Sequence, residues 1–333
     1  MVRWHRTLTW LLIAVFAAGA AHAQWTWTPQ TKRFINLKKL PKETPELQIE
    51  HARSLMMKKQ FKEAWRETQK FSEAYSDSEL ADQNQYLRGE IKMRQGKWMD
   101  ASKEFQRVLS AYPETALYED AIKKQYEIGD HYYGKGVKNQ KHWWNPLRKR
   151  SYKKAIKVYS MVIENQPFTM TAAEAQYKLG LCHFARKEYL EASFEYQRVI
   201  EDYKDSAWVD KAYYDIAMCY YKGSLDADYD QTPSELAVRS IDDFSARYPN
   251  DERNADLLKK RQEMRNRIAE QRLIVAQFHE KRREFDSARI YYDLLTTQYN
   301  DTPCGKTAQE WLDKHPKVET ESRAEITKLR NIQ

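Results

Sequence analysis

Apolar positions along the chain recur with helical spacing, and the helical pattern itself repeats. An apolar helix carrying a small residue is followed by a turn, an aromatic, an Ala three residues later and a second apolar helix. The Ala recurs at Ala64, Ala101, Ala155, Ala192, Ala237 and Ala288. The aromatic before it is Phe61, Trp98, Tyr152, Tyr189 or Phe285, with Ser234 in the fifth unit. Twelve residues upstream of the Ala stands Ala52, Gly89, Gly180 or Ala276, and across insertions Gly129 and Ala217 fill that place. Downstream come Phe71, Val108, Val162, Val199, Phe244 and Leu295, then Pro113, Pro167 and Pro249 in three of the units. The pattern predicts six antiparallel helix pairs.

Small residues, an aromatic and a terminating Pro at these places are those of a tetratricopeptide (TPR) repeat. Small side chains let paired helices touch closely, the aromatic fills the turn, and Pro stops the second helix. The expectation is an all-α helix-turn-helix solenoid, a right-handed superhelix. Its repeats fall near 46–79, 80–115, 116–170, 171–207, 208–251 and 252–316. The Ala-to-Ala intervals are 37, 54, 37, 45 and 51 residues, so three repeats carry additional chain. The third holds it in Gly134–Arg150 and the fifth in Gly223–Thr232, both between the two helices. Before the sixth, an uninterrupted stretch through Arg283 predicts one helix of about 30 residues, roughly 45 Å long.

Composition fits an array rather than a compact globule. The 333 residues are 41% apolar, 31% charged and 13% aromatic, with 9 Gly and 10 Pro, and the mean hydropathy is −0.88. This excludes collagen-like and low-complexity chains, and the 22 Tyr and 10 Trp argue against wholesale disorder. Residues 1–23 form an export signal: Arg3 and Arg6, an apolar run from Leu8 to Ala21, and Ala21-His22-Ala23 for cleavage. The mature chain is expected to be exported to the periplasm, with a net charge of +6. Residues 24–45 read as an extended Trp- and Pro-containing segment, and 317–333 as a polar tail.

No enzyme motif stands out: HExxH, P-loop, GxSxG and Gly-rich phosphate loops are all missing from the sequence. The expectation is a non-enzymatic protein with no cofactor and no metal. Cys182 and Cys219 occupy equivalent places in adjacent repeats and read as buried free thiols, with Cys304 in a loop. His183 and His279 share a repeat position with Tyr132 and Tyr220, which reads as helix packing.

The insert GKGVKNQKHWWNPLRKR (134–150) is the sharpest local feature, with six Lys/Arg, no acid and Trp143-Trp144 at its centre. Basic residues among aromatics suit an anionic lipid surface or an acidic protein face, and export argues against nucleic acid; the alternative is that the Trp pair caps the repeat's own edge while the basic residues are solvated. Candidate partner-binding residues are Trp143, Trp144, Lys141, Arg148, Lys149 and Arg150, together with Trp25 and Trp27 near the mature start. Helix phase places Arg88, Lys92, Lys178, Arg186 and Lys211 along a peptide groove.

Over Ala172–Trp311 the order is distinctive. A plain repeat (YKLGLCHFARKEYLEASFEYQRVIEDYKDS) precedes one with a polar insertion (DIAMCYYKGSLDADYDQTPSELAVRSIDDFSARYPND). A long charged helix and a last repeat (VAQFHEKRREFDSARIYYDLLTTQYNDTP) follow. This resembles the BamD (YfiO) family, the TPR component of the machine that assembles β-barrels in the bacterial outer membrane. The resemblance implies a scaffold that docks the barrel-inserting subunit or unfolded barrel precursors. Members usually carry a lipid-bearing Cys just after the signal, whereas Gln24 stands there in this chain. Contact with a membrane is then expected to be peripheral. A second class with exported TPR repeats, the CpoB (YbgF) adaptors of peptidoglycan synthesis, usually adds a coiled coil, for which residues 24–45 are too short and Pro-broken.

Overall fold

The computed structural model describes residues 25–28, 33–36, 40–139 and 146–316. Two short strands, β1 (Trp25–Thr28) and β2 (Arg33–Asn36), pair antiparallel with Trp25 opposite Asn36. All other regular structure among the described residues is helical: α1 (Pro45–Met57), α2 (Phe61–Ala74), α3 (Ala81–Arg94), α4 (Trp98–Ala111), α5 (Tyr118–Lys138), α6 (Leu147–Asn165), α7 (Met170–Ala185), α8 (Tyr189–Asp202), α9 (Val209–Gly223), α10 (Thr232–Arg247), α11 (Asn254–Lys281), α12 (Phe285–Gln298) and α13 (Pro303–Lys314). The fold is an all-α TPR solenoid of consecutive helix pairs. It divides into two compact units, one ending at His131 and one beginning at Tyr132, the division falling inside α5.

In the first unit, Thr44 caps α1 by accepting a hydrogen bond from the Leu47 amide, and Pro45 takes the first turn, where a missing N–H costs nothing. Ala52, Ala64, Phe71, Leu87, Ala101, Phe105 and Val108 form its buried interior. Gly89 has to be glycine: a Cβ there would lie 2.6 Å from the Phe105 ring. A polar rung crosses each hairpin. Gln48 donates from Nε2 to the Glu67 carbonyl at 2.8 Å and carboxylate at 2.9 Å, and Gln85 does the same to Glu104. Both Gln and Glu are thereby satisfied at a semi-buried contact, where an unpaired amide would be costly.

The second unit repeats these devices. A Cβ on Gly180 would lie 2.5 Å from the Tyr196 ring, and Gln176 donates to the Glu195 carbonyl. Ala155, Ala192, Ala237, Ala276 and Ala288 are all buried, as are Gly129 in the first unit and Ala217 in the second. The α1–α2, α3–α4, α7–α8 and α11–α12 turns each place one residue in left-handed backbone: Lys59, Gly96, Lys187 and Arg283. Helix α11 is 28 residues long, about 42 Å.

Three sequence expectations change. The extra chain of the third repeat is not confined to a connection between its helices: α5 continues through Gly134 and Gly136 to Lys138, and α6 starts at Leu147. Tyr152 packs on Gly136, 16 residues away, the same separation as Gly89–Phe105 and Gly180–Tyr196. Gly136 lies seven residues beyond Gly129, and Tyr152 seven before Tyr159, so the hairpin has gained about two turns on each helix. Cys304 lies not in a loop but in the first turn of α13, capped by Thr302 with Pro303 at its start. His183 and His279 do more than pack: each pairs through Nδ1 with the Glu that opens the next helix, Glu188 at 2.9 Å and Glu284 at 2.7 Å.

Candidate docking surfaces

Two surfaces of the second unit are candidates. The first is the outward side of α6. The acid-free stretch does not stop at Arg150 but runs from His131 to Ile163, 33 residues with nine Lys/Arg. Within α6, Lys149, Arg150, Lys153 and Lys157 are exposed and take part in no ion pair among the described residues. At about 100° per residue all four fall within roughly a quarter-turn arc of the helix. Lys154 alone is turned inward, its ammonium 5.0 Å from the Tyr132 ring centre. No acid occupies the first turn of α6. Cations there oppose the helix dipole, at about 0.3–1 kcal/mol each, so the local fold gains nothing from them. At the hairpin end Val137 (42% exposed) and Leu147 (53%) present apolar side chains to solvent.

Of the residues singled out from sequence, Lys149 and Arg150 are on this exposed side. Arg148 is in α6 and Trp25 and Trp27 in β1, but their side chains lie outside the described features, as do residues Lys141, Trp143 and Trp144 altogether. The proposed groove cations are all engaged. Arg88 and Lys92 sit over the Trp65 ring at 4.5 and 3.7 Å. Lys178 pairs with Glu174 at 3.0 Å, Arg186 with Glu188 at 2.6 Å, and Lys211 lies over Trp208 at 4.2 Å.

The second surface is a groove of about 480 Å³ between α10 and α12, floored by α11. Its walls include Glu235, Arg239, Asp242, Asp243, Leu294 and Tyr299, with Arg265, Ile268 and Arg272 below. Most of these charges are tied together. Arg265 forks onto Asp301 at 2.5 and 3.0 Å and donates to the Gln298 carbonyl at 2.8 Å. Arg261 reaches Asp242 and Arg272 reaches Glu235. The bonds from Arg265 hold the Asp301 carboxyl below the usual range. Arg239 and Asp243 are exposed and take part in no ion pair among the described residues. The loop 224–231 beside α11 is built around buried Gln231, which donates to the carbonyls of Asp226 and Tyr229 at 2.9 Å and bonds Ser234. Ser234 thus replaces the turn aromatic with a polar lock.

A third cluster is interior. Asp215 is largely buried, and burial raises its carboxyl to about 6 although the Tyr177 hydroxyl donates to it at 2.6 Å. Trp208 stacks on Tyr177 at 4.8 Å, and the neighbouring Tyr196 hydroxyl is buried without a hydrogen-bond partner among the described residues. The cluster is built from α7 (Tyr177), α8 (Tyr196) and α9 with its N-cap (Asp215 and Trp208). Among the described residues no group of His, Cys, Asp or Glu has metal-holding geometry, and no helix is long and apolar enough to cross a membrane.

Sequence comparisons fall on the same elements. A TPR family model matches residues 83–115. BamD, the outer membrane protein assembly factor of Caulobacter vibrioides, is 24% identical over 135 residues, covering 40% of this chain and 44% of that protein. The chain thus matches less than half the length of that relative. Solved structures show only slight likeness. A TPR protein from Parabacteroides merdae has 16% identity and a TM-score of 0.32, over 81% of this chain and 97% of that one. The pilus biogenesis factor PilW has 12% identity and a TM-score of 0.27, over 80% and 99%. A family model described as outer membrane lipoprotein (YfiO) matches residues 138–326, more than half of the chain and the stretch that carries α6 to α13. On that match the chain belongs to the YfiO family.

Proposed function

We propose that this chain is a non-enzymatic periplasmic scaffold that docks proteins during assembly of outer membrane β-barrels. The observation that carries the reading is the YfiO match over α6 to α13, the stretch that includes the α10–α12 groove. Paired helices with their interiors filled leave side chains on the outer faces free to recognise a partner. In the groove, Arg239 and Asp243 offer one free charge of each sign beside Leu294 and Tyr299. The partner is the barrel-inserting subunit or an unfolded barrel precursor, and the chain works after export, at the periplasmic side of the outer membrane.

Affinity recovery from solubilised envelopes tests this. The barrel-inserting subunit is expected to co-purify with the wild type and to be depleted at least tenfold by the double reversal Arg239→Glu, Asp243→Arg. Recovery of peptidoglycan synthases without that subunit overturns the reading in favour of a CpoB-like adaptor. Cell fractionation with the mature mass checks export: a chain starting at Gln24 is the expected species.

A further inference from the structure

We infer that the outer side of the α5–α6 hairpin is a docking surface for an anionic phospholipid bilayer. Five exposed lysines and one arginine, Lys135, Lys138, Lys149, Lys153, Lys157 and Arg150, are spread over the end of α5 and the first three turns of α6, and none has an ion pair among the described residues. Lys149, Lys153 and Lys157 succeed one another at i, i+4, a spacing at which like charges repel. Together with the basic first turn of α6, this arrangement is unfavourable for the helix by itself and is relieved by a negative surface.

The residue types decide between a membrane and an acidic protein. Protein interfaces are enriched in Arg, whose planar fork grips carboxylates, and depleted in Lys. This surface is mostly Lys, a flexible point charge suited to a field spread over many headgroups. The same chain shows the contrast: three α11 side chains that reach acids on α10 and Asp301 are arginines, Arg261, Arg265 and Arg272. Exposed Val137 and Leu147 at the hairpin end add what a headgroup layer accepts and a purely ionic protein contact does not require. The surface lies on a hairpin of 21- and 19-residue helices, about two and one and a half turns longer than the 14-residue pair α3–α4.

The inference is independent of which protein the α10–α12 groove holds. Its test is co-sedimentation of the protein, as recovered from cells, with vesicles of phosphatidylcholine alone or with 30% phosphatidylglycerol. Binding is expected only to the anionic vesicles and is expected to fall away as salt rises from 50 to 500 mM. The triple variant Lys149→Gln, Lys153→Gln, Lys157→Gln should weaken binding on the order of a hundredfold, at about fivefold for each basic residue. A matched triple elsewhere in the second unit, Lys204→Gln, Lys259→Gln, Lys306→Gln, removes the same charge and should weaken it less than threefold. Equal loss in both triples would mean that net charge alone acts, and overturns the inference. So does a wild type that ignores anionic vesicles, including the case in which the first triple instead loses an envelope protein partner. Circular dichroism on both triples confirms that they fold. Recovery of the barrel-inserting subunit in detergent is expected to survive the first triple, which separates this test from that of the proposed function.

Discussion

Helices α6 and α11 are both long and both basic, yet they treat their charge in opposite ways. In α11 the arginines reach out to acids on neighbouring elements: Arg261 to Asp242, Arg265 to Asp301, Arg272 to Glu235. Arg267 adds a bond to Ser224 in the loop after α9. In α6 four exposed cations have no such partner among the described residues, and the helix sequence holds a single acid, Glu164, in its last turn. The two insertions differ in the same sense. Residues 224–231 fold onto Gln231 and satisfy themselves, whereas the α5–α6 extension adds helix and leaves Lys135, Lys138, Lys149 and Arg150 exposed. Where charge is paired internally it is architecture. Where a fold carries charge at its own cost, the charge faces a partner.

The strongest way to break this comparison is to remove the hairpin that presents the lysines. Gly136→Leu forces a side chain into the Tyr152 ring, 2.6 Å from where its Cβ would be. A loss of about 3 kcal/mol is expected by denaturant unfolding, with fraying confined to α5 and α6 by hydrogen exchange. Next comes the buried charge of Asp215, a third way of holding an ion. Its folded carboxyl is raised from 3.8 to about 6. Stability from this group is therefore fully present below about pH 4 and is lost as pH rises through 6. Asp215→Asn keeps an acceptor for Tyr177 and should gain on the order of 2 kcal/mol over wild type at pH 8, the gain vanishing near pH 4.

Smaller effects sharpen the contrast itself. Arg265→Ala removes a largely covered fork and should cost about 1 kcal/mol near neutral pH. Asp301 has a lowered carboxyl, so that stabilisation is present above about pH 4 and fades as pH falls through the folded value. A difference between wild type and Arg265→Ala that persists undiminished at pH 2 would refute the assignment. The least change is expected from the Lys149, Lys153, Lys157 triple, within about 0.5 kcal/mol of wild type or slightly more stable. A clear destabilisation would show that these lysines serve the fold after all.

The helix pairs were legible because their rule is steric: a small residue on one helix meets a ring on the next, as at Gly89–Phe105 and Gly180–Tyr196. The hairpin extension was hidden by the same chemistry. Gly134 and Gly136 look like breakers in GKGVK, but Gly136 is kept in a helix by the Tyr152 ring that takes its missing Cβ. A search for a second glycine seven residues on, with an aromatic seven residues earlier on the return helix, would have found it. Thr302-Pro303 is a good helix start, yet α13 is a third helix within 252–316, and a rule of helix pairs has no place for it. The Gln-to-Glu rungs at 48–67, 85–104 and 176–195 share one spacing of 19 residues. Hydropathy spacing does not reveal them, because a polar position in an amphipathic helix pattern reads as surface. The repeat pattern resumes at Tyr152, so the cationic side of α6 is legible as an insert only to Arg150, although Lys153 and Lys157 extend it.

The seven-plus-seven extension makes the reach of the α5–α6 hairpin a stepwise quantity. An antiparallel pair keeps its ring-on-glycine contacts only if both strands of the hairpin lengthen together by whole pairs of turns, about 10 Å at a time. Intermediate lengths would rotate Tyr152 off Gly136. The geometry therefore admits lengths of this arm in rungs of about 10 Å, each adding one glycine and one ring, with every other repeat unchanged.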